Sequence, residues 1–126
     1  MKGVGDMPVV KIYIVEGKSS KYKKAVLNSV HDALVEALGI PDSDRFQRII
    51  EVPAEEFEFP ADKTSGFLII EINLFPGRTK EQKKAAIECI SGNLYDSVGV
   101  EPSDVMVIMT DTPYENWGIG GYQQGN

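Results

Sequence analysis

GKSSKYKKAVLNSVHDALVEALGIPDSD (Gly17–Asp44) and GRTKEQKKAAIECISGNLYDSVGVEPSD (Gly77–Asp104) align without a gap, sixty residues apart. Identities fall at Gly17/Gly77, Lys23/Lys83, Lys24/Lys84, Ala25/Ala85, Leu34/Leu94, Gly39/Gly99, Ser43/Ser103 and Asp44/Asp104. The apolar positions match too: Leu27, Val30, Leu34 and Leu38 against Ile87, Ile90, Leu94 and Val98. Pro53 meets Pro113 at the same offset. Helix stop, helix face and following turn stay in register together, which marks an internal repeat and makes the repeat the unit of the fold.

Each copy has a local logic. Val9–Val15 (VVKIYIV) is short and β-branched, hence a strand. Gly17 turns the chain, and Ser19 or Ser20 caps a helix running to about Leu38 with one apolar face. Gly39 suits the position after a helix, where φ is positive, and Pro41 prevents continuation. Gln47–Val52 follows as a strand. The second copy reads as strand Phe67–Leu74, turn Pro76-Gly77, helix from Thr79 to Gly99, and strand Val105–Met109. Thr79 and Gln82 have capping-box spacing. The expected fold is α+β: tandem β-α-β units in the order β-α-β-β-α-β, a four-stranded sheet with two helices on one face. One domain is expected over residues 1–126, with 1–7 an extension, 8–60 the first unit and 61–126 the second. The polar loop Pro53–Gly66 joins them. FLIIEINL shows little alternation, so the uncovered sheet face is expected to be apolar and buried between chains in a closed ring, a trimer.

Composition narrows the function. Lys and Arg number 13 and Asp and Glu 19, a net charge of −6. That is unsuited to duplex nucleic acid, which needs a cationic face, but is no obstacle to a small anion. Cys89 is the single cysteine and His31 the single histidine, so no intrachain disulfide and no His–Cys metal cluster is expected. Cys89 is expected as a small buried hydrophobe. No apolar run reaches membrane-spanning length and no secretory h-region is visible, so the expected compartment is the cytoplasm, with no membrane partner.

In the second unit, Gly77-Arg78-Thr79, Glu81-Gln82-Lys83 and Gly118-Ile119-Gly120-Gly121 follow one another in an order that resembles 4-oxalocrotonate tautomerase. Asp44-Arg45-Phe46-Gln47 in the first unit resembles malonate semialdehyde decarboxylase and fused two-unit relatives. Nearly the whole chain from Met7 therefore resembles the tautomerase superfamily. That resemblance implies an N-terminal proline as the catalytic amine, and Met7-Pro8 opens the first strand. An α-amine titrates near neutrality, about 7.7 to 8.0, so it needs no side-chain base. Six residues, MKGVGD, precede Met7, and with them Pro8 nitrogen is an amide without a usable lone pair. Met7 is taken as the natural start. The second unit has Leu68 in the place of Pro8, so one amine per chain is expected.

Other candidates carry two readings each. Arg78, at the turn before the second helix, binds a substrate carboxylate bidentately by resemblance, or is a solvated surface arginine; Lys18 is its counterpart. Asp44 tunes the amine or positions a water, or merely caps a turn as Asp104 would in the other copy. Trp117 is an aromatic wall that excludes water, or an anchor for the C-terminal segment. Phe46 and Arg48 share a strand face and reach the site from it, although an outward Arg48 is the plainer reading. Lys18, Lys21, Lys23 and Lys24 read as a solvated face. The resemblance implies keto–enol proton transfer on a small 2-oxo or enol carboxylic acid, with no cofactor and no metal. The alternatives are decarboxylation of a small 3-oxo acid, weakened by Phe75-Pro76 where the decarboxylase carries an additional arginine, and a non-catalytic trimeric binding protein should the extension be native. A ferredoxin-like ligand-binding domain shares the element order without requiring these motifs.

Overall fold

Ser19 and Thr79 begin the two helices, α1 (Ser20–Leu38) and α2 (Lys80–Val98), in the computed structural model, which describes residues 7–124. The expected extension, residues 1–7, therefore lies outside the described residues except for Met7. Ser19 Oγ accepts from Tyr22 N, and Thr79 closes a full capping box with Gln82. Both helices stop at a glycine in the left-handed region, Gly39 at φ 70° and Gly99 at φ 72°. A side chain there would be strained, so each glycine is what permits the chain to leave its helix. Thr79→Ala should cost about 1 kcal/mol, read as a lower urea midpoint at unchanged slope.

The strands are β1 (Val9–Val15), β2 (Phe46–Val52), β3 (Leu68–Leu74) and β4 (Val105–Asp111), in the sheet order β2-β1-β3-β4. Each unit contributes one parallel pair, β1 with β2 and β3 with β4. The units meet through β1 and β3, which run antiparallel with Val9 opposite Asn73 and Ile14 opposite Leu68. The repeat is thus an approximate two-fold about the middle of the sheet. Its equivalence reaches side chains: Lys23 pairs with Glu51 at 3.1 Å, and Lys83 with Asp111 at 2.9 Å.

Alternate residues of β1 and β3, among them Val10, Ile12, Ile14, Ile70 and Ile72, meet Val26, Val30, Leu34, Ala86, Ile90 and Leu94 of the helices. The helix face is centred one residue earlier than its spacing suggests. Ala86 is buried and Ile87 is 43% exposed, because Ile87 sits about 100° round the helix from Ala86, at the margin of the buried stripe. Cys89 is half-buried rather than buried, packed at the edge of the core, and burial followed by Glu36 pushes its thiol up.

β3 alternates strictly between buried and half-buried residues, so the apolar character of FLIIEINL is less two-sided than its letters suggest. The face away from the helices is mixed. Lys11 and Glu71 pair across its centre at 3.7 Å, with Tyr13, Ile69, Met106 and Ile108 around them. The strand expectations shift slightly at their ends: β2 starts at Phe46, β3 at Leu68, and β4 runs on to Asp111. A short hairpin, β5 (Gly118–Ile119) with β6 (Tyr122–Gln123), was not expected; Gly120 and Gly121, both at positive φ, form its turn. No described helix is long and apolar enough to cross a membrane.

Candidate active site

Three registers converge on one end of the sheet. Val9 beside Phe46 brings the Asp44–Phe46 segment next to Pro8. Val9 opposite Asn73 brings the end of β3, and the turn Phe75–Arg78 that follows it, to the same end. Asn73 beside Thr110 adds the end of β4 and the chain beyond it to Trp117. Pro8, the Asp44–Phe46 segment, Arg78 and Trp117 are far apart in sequence and brought to this end by topology. Arg48 lies two residues along β2 on the open face, beside Lys11, and is exposed.

Pro8 is buried at the start of β1. A cleft of about 230 Å³ lies next to it, lined by Val9, Asn73, Thr112, Asn116 and Trp117. Asn73 Nδ2 donates to Thr112 Oγ1 at 3.0 Å, and Trp117 Nε1 donates to the Thr112 carbonyl at 3.0 Å. Trp117 also packs against Phe75, with ring centroids 4.6 Å apart, and Phe75 stacks on Tyr114 at 4.8 Å. Phe75 precedes the Pro76-Gly77-Arg78 turn, so the indole anchors the C-terminal segment beside that turn and lines the cleft. Arg78 is half-buried one residue before the cap of α2, where unbonded helix N–H groups favour an anion.

Asp44 and Asp104 part company despite their equivalent positions. Asp104 is 3% exposed and accepts from Thr64, through the backbone N–H and the hydroxyl. It fastens the loop between the units. Asp44 has a buried Oδ2 with no hydrogen-bond partner. Asp104 thus holds the loop between the units rather than capping its own turn, and the buried, unpartnered acceptor of Asp44 at the Pro8 end calls for another account. Lys18 parts from Arg78 in the same way. Its Nζ donates to the Ser65 carbonyl at 2.9 Å and lies 5.8 Å from the Tyr22 ring centroid, at the far end of the sheet. That end also holds a cluster of Phe57 and Phe59 from the loop with Phe67 just after it. Burial, then the charge of Asp104, pushes the Tyr22 hydroxyl up. Lys18 is thus placed to hold the loop, not to stand in for an arginine at the Pro8 end.

A larger hollow of about 590 Å³ runs along the outside of α2 past Lys80, Lys83, Lys84 and Ile87. It is an open depression, and Lys83 and Lys84 pair with Asp111 and Glu88. None of the sequence-expected site residues lines it. Among the described residues no group of three or more His, Cys, Asp or Glu side chains is placed to hold a metal ion.

Comparison with known proteins gives the family. A family described as "Tautomerase enzyme" matches residues 44–120, and a second family of the same description matches residues 8–63. The chain belongs to the tautomerase family. It is 28% identical over 119 residues to a probable tautomerase, YusQ, of Bacillus subtilis (strain 168), covering 90% of this chain and 94% of that protein. The crystal structure of FG41 malonate semialdehyde decarboxylase inhibited by 3-bromopropiolate is 30% identical, with a TM-score of 0.80 over 89% of this chain and 88% of that one. A fused 4-OT crystallised as an asymmetric trimer is 25% identical, with a TM-score of 0.80 over 91% and 94%. The chain is accordingly an enzyme of the tautomerase type, on the fold expected from its repeat.

In this tautomerase Asn73, Thr112 and Asn116 line the cleft without having been expected there from the sequence. Asn73 was visible in principle, since asparagine is disfavoured inside a β-branched strand and marks a place where something other than packing decides. Thr112 and Asn116 carry no local signal; they matter because β4 ends beside β3.

Proposed function

We propose that this tautomerase transfers a proton between carbon and oxygen of a small 2-oxo or enol carboxylic acid, with the secondary amine of Pro8, exposed as a chain terminus, as the proton carrier. The observation that carries the proposal is the asymmetry of the two ends. Where Pro8 stands, Arg78 sits at a helix start and Asp44 keeps a buried unpartnered oxygen; at the other end Leu68, Lys18 and Asp104 stand in their places, with the last two engaged by the loop. In the forward direction the amine takes the enol hydroxyl proton, leaving an enolate and a secondary ammonium. The ammonium returns a proton to carbon, and the amine is restored. Arg78 holds the carboxylate, Trp117 narrows the cleft against water, and Phe46 and Arg48 border the site from β2. Asp44 stabilises the ammonium or orients a water. No step needs a metal or an organic cofactor. A panel of enol acids and 3-oxo acids, assayed with protein beginning at Pro8, tests the proposal; turnover of none of them would count against it.

Decarboxylation of a 3-oxo acid is the second reading, and the Asp44 oxygen favours it. A buried carboxylate beside the amine holds the amine in its cationic form. A cationic Pro8 polarises the 3-oxo group while the carboxyl carbon leaves as carbon dioxide, and the enol left behind is protonated at carbon. The panel separates the two readings directly.

The assembly is proposed as a homotrimer. The mixed open sheet face, with Tyr13, Ile69, Met106 and Ile108 around the Lys11–Glu71 pair, is the surface to be buried; Met106 and Ile108 are each 45% exposed. Apolar burial contributes about 25 cal/mol per Å². The β5–β6 hairpin, with Tyr122 77% exposed, is the segment proposed to reach a neighbour. Sedimentation at micromolar concentration should give three times the chain mass of 13.9 kDa; a monodisperse monomer would remove the assembly proposal.

A further inference from the structure

Three side chains tie α1 to the segment that carries Asp44. His31 Nε2 lies 2.9 Å from the Asp42 carbonyl oxygen and 3.3 Å from Asp42 Oδ1. Arg45 Nη2 donates to Asn28 Oδ1 at 2.8 Å, and Gln47 Nε2 donates to the Leu27 carbonyl at 2.9 Å. None of these pairs recurs in the other unit. Sixty residues on, His31 and Asp42 become Ser91 and Pro102, Asn28 and Arg45 become Glu88 and Val105, and Leu27 and Gln47 become Ile87 and Val107. The unit whose aspartate is bound up with Thr64 does without the bracing, and the unit whose aspartate is left unpartnered has it.

His31 is the most informative of the three. It is 1% exposed, and a carbonyl oxygen can only accept, so Nε2 carries the hydrogen and donates it to Asp42. The Asp42 carboxylate is 87% exposed, so the contact with Oδ1 is weak beside the bond to the backbone. Asp42 is the second residue of a turn closed by Asp44 N–H to the Pro41 carbonyl at 3.0 Å. The buried imidazole therefore grips the turn whose last residue is Asp44.

We propose that His31 is a positioning residue: by fastening the Pro41–Asp44 turn to α1 it aims the Asp44 carboxylate at the Pro8 end of the sheet. The inference rests on the reading that Asp44 acts on the Pro8 amine. His31 touches no substrate in it. An aspartate at a strand start has several rotamers and a turn of several shapes open to it, and a misplacement of about 1 Å at a reacting centre can cost up to a hundredfold in rate.

The test uses protein beginning at Pro8, with phenylenolpyruvate as the enol-acid probe, and the variants His31→Ala, His31→Gln, Asp42→Asn, Asp44→Asn and His31→Ala with Asp44→Asn. His31→Ala should lower kcat about tenfold with KM within twofold, because Arg78 still holds the carboxylate. His31→Gln, whose amide N–H reaches the same carbonyl, should recover most of the loss. Asp42→Asn keeps the backbone acceptor and should be silent. In the Asp44→Asn background, His31→Ala should cost nothing further. His31→Asn, too short to reach Asp42, is run beside the alanine variant, and only variants with native circular dichroism and unchanged oligomeric mass are compared. Losses that multiply in the double variant, or a rise in KM at constant kcat, would overturn the proposal while leaving the Asp44 reading intact. A silent Asp44→Asn would overturn that reading, and the His31 role with it.

Discussion

A chain that begins at Pro8 should turn over an enol acid at least about a hundredfold faster than the chain that retains residues 1–7, since a positioned general base contributes roughly two to four orders of magnitude. Acylation of Pro8 nitrogen by Met7 delocalises its lone pair into an amide, which neither accepts nor donates a proton near neutral pH. The two proteins should fold alike, because the strands, the helices and the main core cluster all follow Pro8; of the described residues removed, Met7 alone is buried. The trimmed chain with Pro8→Ala keeps a primary amine at the same place and should lose much of the activity but not all of it. The pH profile distinguishes the two chemistries. A neutral amine acting as base gives a rate that rises as the amine deprotonates, in a range that starts from about 7.7 to 8.0 for an unperturbed α-amine. A cationic amine acting in decarboxylation gives a rate lost over the same titration. If Asp44 acts on the amine as proposed, it should move that titration upward, and Asp44→Asn should move it back. Equal turnover by the extended and trimmed proteins would end the proline mechanism while leaving the family and the fold untouched.

Arg78→Ala should lower kcat/KM for an anionic substrate by one to two decades, the equivalent of roughly 1.5 to 3 kcal/mol for a charge-assisted bidentate contact. The loss should appear mainly in KM, because the carboxylate is held in ground state and transition state alike. Arg78→Lys should restore part of it: an ammonium keeps the charge but not the planar fork. Lys18→Ala provides the contrast. Lys18 occupies the matching position but donates to Ser65 at the opposite end, so its loss should leave KM unchanged and soften the loop between the units. If Arg78→Ala leaves KM unchanged, the carboxylate is held elsewhere, and Arg48 on the neighbouring strand is the next to replace.

The parts of this structure that were legible in the sequence are those set by neighbouring residues. Ser19, Thr79 and Gln82 announce helix starts through the bonds their own side chains make, and Gly39 and Gly99 announce the stops through a backbone angle. The gapless repeat carried the element order. Ile87 went astray because an apolar residue at the margin of a helix stripe has the same spacing as one inside it. The β5–β6 hairpin went unread because two-residue strands have no periodicity. Pro8, Asp44, Arg78 and Trp117 were picked out one at a time by resemblance, whereas their convergence, and the addition of Asn73 and Thr112, depend on strand register. The different fates of Asp44 and Asp104 were out of reach altogether: two identical residues at matching positions are told apart only by what Thr64 does.

The antiparallel seam between β1 and β3 sends the two equivalent ends of the sheet in opposite directions, and the loop between the units occupies one of them with Phe57, Phe59 and Phe67. Duplication usually offers a protein two working copies of whatever it had. On the proposed reading one copy serves as masonry, chemistry is confined to the Pro8 end, and the described part of a chain then offers no second site with which to communicate across the sheet. On that reading, any sigmoidal or biphasic kinetics should originate between chains, where the symmetry is that of the proposed assembly and not of the repeat.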